Sequence, residues 1–300
     1  MRRKILFLTY RFPYPLSGGD RVKSYHLLRH LSTIADVDLI TLDQWNTATA
    51  ESLDHLHSFL RSVVVVPFHK ISSGARILGS LFSSTPIEIA YYESRAMKNA
   101  VEKALSSANY DLVIGFFMRT APYLETVTGV QKMLIAEDSR LLADERATKK
   151  FSFSLEYFVR RIDAIRLRSF EPEMIKKFSV TTFVATPDEE RVKAIDPALR
   201  TAILTNGVDA DEFEFYDGER ENAVLFSGHL GIYHNRLMAE EIVKGIYPAI
   251  REHSPQTKLW IAGKDPNSEL RRLVASTEGA ELFADVRDMR PFYQKARVFL

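Results

Sequence analysis

The chain predicts an α/β fold of the doubly wound kind, arranged as two Rossmann-like domains with parallel sheets. Three observations predict it. Short apolar runs rich in β-branched residues alternate with helical patterns from end to end. The runs are continuously apolar, which suits strands covered on both faces. The alternation is interrupted once, by a stretch near Ile195 to Tyr216 rich in Pro, Gly, Asn and Asp, and then restarts at "NAVLFSG". That break places the domains at 1–198 and 199–300, with the cleft between them as the default ligand site.

The strands expected in order are Ile5–Thr9, Val37–Thr41, Val63–Val66, Leu112–Gly115, Lys132–Ala136, Thr181–Ala185 and Ala202–Leu204. Ala223–Ser227, Lys258–Ala262, Glu281–Phe283 and Arg297–Leu300 follow. Helical patterns between them include Asp20–Leu31, Arg95–Ser106, Ser154–Phe178 and Arg236–His253. The last run, "ARVFL", reads as a strand at the end of the sequence. Since a domain seldom ends on a central strand, the second domain is expected to be incomplete and the protein truncated at its C-terminus.

Composition narrows the function classes. Forty Lys and Arg face 39 Asp and Glu, a net charge of +1, which argues against nucleic acid as the main partner. The absence of cysteine rules out disulfides and thiolate metal sites, and fits a reducing compartment. The apolar run after Arg2, Arg3 and Lys4 stops at Arg11, too short for a signal-peptide core. A cytoplasmic protein is expected. Two stretches, His69 to Lys98 and Tyr157 to Phe178, combine basic and apolar residues. In the first, Ile71, Ile77, Leu78, Leu81 and Phe82 accompany Lys70 and Arg76. In the second, Arg160, Arg161, Arg166, Arg168, Lys176 and Lys177 accompany the apolar set. Either could rest on the inner face of a membrane, or be a core-facing helix with a solvated charged side, the favoured reading.

The turn "RFPYPLSGGDRVKS" places Gly18 and Gly19 immediately before a helix. Such a pair permits close approach of the backbone to a ligand, and a helix start favours negative charge. The plainer reading is a turn with Ser17 or Asp20 as the helix cap. The pattern is neither a Walker loop nor GxGxxG.

Five segments fall in one order: "KILFLTYRFPYPLSGGDRVKSYHLLRHLS", "TTFVATPDEE", "ILTNGVDADEF", "VLFSGHLGIYHN" and "LWIAGKDPNSELRRL" with the closing "FADVRDMRPFYQKARVFL". In that order they resemble the retaining glycosyltransferases of family 4, which have the GT-B fold of two facing Rossmann-like domains. The likeness is greatest to bacterial sugar transferases associated with exopolysaccharide gene clusters. The resemblance implies a nucleotide-sugar donor, UDP- or GDP-linked, on the second domain and a polysaccharide or lipid-linked acceptor on the first. It implies no further cofactor and no catalytic metal, the leaving diphosphate being stabilised by helix N-termini and cations.

The resemblance also implies site residues. Gly18 and Gly19 match the glycine pair that approaches the donor diphosphate and sugar. His229 stands where the family usually has Arg, and Asn235 where it has Lys, with Arg236 adjacent. Lys264 follows "LWIAG" at a strand mouth that suits a phosphate contact. Val286 matches a segment whose backbone meets the base, although Ala284 stands where Gly is more frequent. In "MLIAEDS", Glu137 and Asp138 replace a His of many relatives, and the exopolysaccharide-linked ones tend to carry an acid at the place of Asp138. Asp138 is therefore the expected acceptor-orienting or proton-accepting group; alternatively, Asp138 or Ser139 caps the next helix. The family's E-x7-E motif should follow "VFL" and would lie beyond Leu300, so this chain is expected to have little activity. A non-catalytic nucleotide-sugar-binding or scaffold protein is the alternative. "TNGVD" followed by "SGHLG" argues against a sugar-nucleotide epimerase.

Overall fold

The computed structural model of the protein describes residues 2–16, 18–80, 83–150 and 155–300. They form two compact units, 1–206 and 207–300. In the first unit the strands are β1 (Arg3–Thr9), β2 (Ala35–Asp43), β3 (Ser62–Pro67), β4 (Leu112–Phe116), β5 (Gln131–Glu137), β6 (Val180–Phe183) and β7 (Thr201–Ile203). Its helices are α1 (Gly19–Ile34), α2 (Ala50–His57), α3 (Lys70–Ser80), α4 (Ile87–Tyr92), α5 (Arg95–Ser107), α6 (Arg140–Lys150), α7 (Leu155–Ile175) and α8 (Thr186–Lys193). A 3₁₀ turn, Met118–Leu124, follows β4. The second unit holds β8 (Glu221–His229), α9 (Tyr233–Glu241), α10 (Tyr247–His253), β9 (Lys258–Lys264), α11 (Ser268–Ala275), β10 (Ala280–Ala284), α12 (Arg290–Lys295) and β11 (Ala296–Phe299).

Each unit has one sheet. The first runs β3-β2-β1-β4-β5-β6-β7 and the second β10-β9-β8-β11. Every pairing in both is parallel. The apolar runs become strands because both faces are covered. On β1, Leu6 and Leu8 pack with Met97 and Val101 of α5 and Met174 and Ile175 of α7. Ile5 and Phe7, on the opposite face, pack with Tyr25 and Leu28 of α1 and Leu56 of α2. Burying one such residue stabilises the fold by about 1.5–3 kcal/mol. In the second unit, Val224 and Phe226 of β8 face Ile242, Val243, Tyr247 and Leu270. Leu225 lies on the other face with Trp260 and Phe292.

All eleven expected strands form within a residue or two of their expected limits. The domain boundary differs. Expected at 198/199, it falls at 206/207, because β7 is hydrogen-bonded to β6 and completes the first sheet. The single helix expected over Arg236–His253 is interrupted by a π turn, Ile242–Ile246. Pro248 lacks an amide proton and clashes with the preceding turn, and the wider π turn just before it accommodates that defect. The first residue of the expected helix Ser154–Phe178, and Leu81 and Phe82, lie outside the described residues.

Gly228 and Gly263 are cross-strand partners near the carboxyl ends of β8 and β9. A Cβ on Gly263 would lie 1.8 Å from the Gly228 carbonyl oxygen. The obstacle is backbone, so no side-chain rotation relieves it. Gly263→Ala should lower the stability of the second unit by about 3 kcal/mol or more. Thermal unfolding checks this, and an unchanged midpoint would contradict the close approach.

Candidate functional site

Open α/β sheets bind ligands at the carboxyl ends of their strands. In the first unit that edge begins after Thr9. Gly18 precedes α1 with φ 101° and ψ 144°, and its carbonyl accepts from the amides of Arg21 and Val22 at 3.1 Å. That φ requires glycine. Gly19 is different: a Cβ there would meet nothing within 4 Å among the described residues. Its missing side chain leaves space at the helix start. Asp20 does not cap the helix. Its carboxylate takes the Tyr10 hydroxyl at 2.5 Å and Arg11 Nη1 at 2.7 Å. Ser17 lies outside the described residues.

Two neighbouring strands end in left-handed backbone at non-glycine residues, Phe117 after β4 (φ 69°) and Glu137 on β5 (φ 72°). Such conformations are costly and collect at functional sites. Glu137 Oε1 lies 2.7 Å from Lys23 Nζ, and Lys23 stands one turn after Gly19 on α1. Lys23 also reaches the Leu204 carbonyl at 3.4 Å. Burial pushes the Glu137 carboxyl up, against the opposing pull of Lys23. Of the two acids in "AEDS", it is Glu137 that is tied to the helix of the glycine pair.

Asp138 pairs instead with Arg140 Nη1 at 3.1 Å, and its Oδ1 is buried without a hydrogen-bond partner among the described residues. It is not the helix cap. Ser139 Oγ accepts from the Leu142 amide at 3.2 Å and takes that role for α6. Glu171, fully buried on α7, closes the same helix start. It accepts from Ser139 Oγ at 2.9 Å and from the amides of Arg140 (3.0 Å) and Leu141 (3.2 Å). Arg140 also pairs with Glu88 at 2.7 Å, and the other Glu88 oxygen takes Arg119. Arg119 lies 4.4 Å over the Tyr10 ring and 4.9 Å over Tyr92. Burial opposes ionisation of Glu88, but the two arginines hold its pKa below the usual range.

In the second unit, His229 and Lys264 are the last register partners of β8 and β9. The backbone then turns across the edge, the amides of Leu230 and Gly231 donating to the Lys264 carbonyl at 2.8 and 3.3 Å. Nine-residue α9 follows, with no side-chain cap among the described residues. Asn235 Nδ2 donates to the His229 carbonyl at 3.1 Å, bracketing the turn. Arg236 lies along α9, 3.9 Å from Glu240. His229 Nε2 is 3.4 Å from Asp265 Oδ2, and its Nδ1 is buried without a hydrogen-bond partner among the described residues. The Asp265 amide donates to Asp285 Oδ1 at 2.9 Å, and Val286 follows in the loop after β10.

The structure therefore brings His229, Asn235 and Lys264 to one edge, with Val286 on the neighbouring strand end. Gly18 and Gly19 share the other unit's edge with Asp138. The sequence reading passed over Lys23, Arg119, Glu88, Asp265 and Asp285. Lys23 carried a usable signal, since it follows Gly19 by one turn. The partners of Glu88 and Arg119 come from elements far apart in sequence, so no local pattern marks them. Among the described residues no group of three His, Asp or Glu side chains is placed to hold a metal ion.

No protein-family model matches the chain, and no curated protein matches its sequence. Solved structures do. TarM is similar with a TM-score of 0.64 at 8% identity, covering 99% of this chain and 79% of that one. The α,α-trehalose 6-phosphate synthase of Burkholderia multivorans gives 0.58 at 10%, covering 100% and 77%. UGT89C1 of Arabidopsis thaliana, solved with UDP-L-rhamnose, gives 0.52 at 12%, covering 100% and 74%. The neighbours are glycosyltransferases and UDP-sugar-binding enzymes of GT-B fold. At such identities the likeness is one of fold, and the fold of this chain is GT-B, with two Rossmann-like units.

Burial pushes the Glu171 carboxyl up to about 7. Between the ordinary carboxylate range and that value the folded protein holds more protons than the unfolded one. This group's contribution to stability is therefore fully present at low pH and is lost as pH rises towards 7. The thermal midpoint should fall between about pH 5 and about pH 7, more steeply in the wild type than in Glu171→Gln. A Glu171 carboxyl carbon titrating by NMR in the ordinary carboxylate range would contradict it.

Proposed function

We propose that the protein is a retaining glycosyltransferase that moves a sugar from a UDP- or GDP-linked donor to a polysaccharide or lipid-linked acceptor in cell-surface polysaccharide synthesis. The observation that carries the reading is the pairing of His229 with Lys264 at the carboxyl edge of the second sheet, beside the start of α9. The UDP-L-rhamnose held by UGT89C1 supports a nucleotide sugar as the ligand class.

In this reading the second unit binds the donor. Transfer breaks the bond between the anomeric carbon and the diphosphate oxygen and forms a bond to an acceptor hydroxyl. Negative charge grows on the diphosphate, and Lys264, the positive end of α9 and His229 stabilise it. Asn235 holds the turn that carries His229, and Val286 offers its backbone to the base. Arg236 contributes charge at the helix start. The first unit binds the acceptor. Gly18 and Gly19 let the backbone approach the diphosphate and sugar, while Glu137 and Asp138 orient the hydroxyl and take its proton. The raised pKa of Glu137 suits it to that proton transfer.

Binding without turnover is the second reading. It is favoured by Asp265, which sets a carboxylate 3.4 Å from His229 and offsets charge meant for phosphate.

Calorimetric titration should show UDP or GDP binding to the 300-residue protein, weakened about tenfold by His229→Ala or Lys264→Ala. Unchanged binding in both variants, or no binding of either nucleotide, would remove the assignment.

A second measurement addresses catalysis. Gly19→Ala adds a methyl to open space, so stability should hold. Consumption of a nucleotide sugar, with a membrane extract as acceptor source, should fall about tenfold or more if the reacting sugar lies against that backbone.

A further inference from the structure

Helix α7 carries apolar residues on both of its sides. Leu167, Met174 and Ile175 are buried in the first unit's core. Phe158, Ile162 and Ile165 are 49%, 41% and 66% exposed, and Val159 is 37% exposed. At 100° per residue, Phe158, Ile162 and Ile165 form one outward stripe, with Ser169 continuing it. Scattered exposed apolar residues need no explanation, but a stripe on one helix face does. The core-facing account of this segment explains only the inner side.

The border of the stripe says what covers it. Residues 157–169 contain four arginines and one acid. That acid, Asp163, is 5% exposed and points away from the stripe, accepting from the amides of Ile87 and Glu88. Arg160 is held by Asp144 at 3.0 Å, which leaves its own charge neutralised. Arg161 and Arg168 line one flank of the stripe, and Arg161 lies 6.0 Å over the Tyr157 ring. Arg166 lies on the other flank, donating to the Thr85 carbonyl at 3.2 Å. A second copy of the protein docked by this face would bring two arginine-bordered stripes together, and like charges across an interface are unfavourable. An anionic lipid surface meets both features. Aromatic and branched side chains enter the acyl boundary while arginines stay at phosphate level.

We infer that the outer face of α7 is a docking surface for an anionic lipid bilayer. Phe158, Ile162 and Ile165 enter the interface, and Arg161 and Arg168 bind lipid phosphate. The contact is peripheral, since among the described residues no helix is long and apolar enough to cross a membrane. It does not rest on the transferase reading.

The test is sedimentation of the full protein with vesicles. One set is phosphatidylcholine alone and the other is phosphatidylcholine mixed with phosphatidylglycerol. The protein should sediment with the anionic vesicles, not the neutral ones, and high salt should release it. Arg161→Gln with Arg168→Gln should weaken binding roughly 25-fold, about fivefold for each arginine. Ile165→Ser should also weaken it, and its high exposure keeps folding intact should Ile162→Ser misfold. Val208→Ser, 72% exposed in the other unit, should change nothing. Failure to bind anionic vesicles overturns the inference, as does binding that neither set of substitutions weakens. A concentration-dependent dimer lost in Ile165→Ser, without vesicle binding, assigns the stripe to a second copy instead.

Discussion

Every strand pairs in parallel with its neighbours, and the rest of the molecule follows from that constraint. A parallel pair needs a crossover long enough to return the backbone to the same end of the sheet, and here helices mainly supply it. Those helices cover the sheets, so the strand interiors are mainly apolar, and the polar residues buried there, such as Asp38 and Thr41, are hydrogen-bonded within the first unit. Polar groups meant for a ligand are left to the strand ends. All carboxyl ends of a sheet emerge along one edge, which is why residues as far apart as Gly18, Phe117 and Glu137 share one border, and His229 and Lys264 another.

The two edges are built differently. In the second unit the geometry is set by backbone. The close approach of Gly228 and Gly263 leaves no room for a side chain, and the Lys264 carbonyl gathers the next two amides. In the first unit it is set by charge. Glu88 is shared between Arg119 and Arg140, Arg140 continues to Asp138, and Lys23 holds Glu137. Partly buried pairs of this kind contribute little net stability, because desolvation offsets the attraction. Removing one member is costly, however, since its partner is left with an uncompensated charge. The network therefore sets where the strand-end acids point more than how stable the unit is.

Glu171 shows similar sharing at a helix start. Its carboxylate accepts three donors at the beginning of α6, and the surrounding core raises its proton affinity. Arg140, whose amide it holds, is the residue that fixes Asp138. A buried carboxyl, a helix terminus and a candidate site residue are thus linked through consecutive backbone atoms.

The sequence by itself determined the strands and their direction, because a strand covered on both faces is mainly apolar, and short β-branched runs such as "ILFLT" and "LWIA" alternate with helical patterns. It also placed Gly18, Gly19, Asp138, His229 and Lys264 at strand or helix ends, a property of residue order. Tertiary structure decided the rest. Ala202–Leu204 follows the expected boundary at 198/199 and so reads as part of the second domain, and only its hydrogen bonds to β6 assign it to the first sheet. Glu137 and Asp138 are adjacent acids that differ in partner because Lys23 and Arg140 approach from different helices. The apolar and basic residues of α7 were plain in the sequence, but which side met the core was not. Contacts between distant segments decide such questions, and a local pattern carries no information about them.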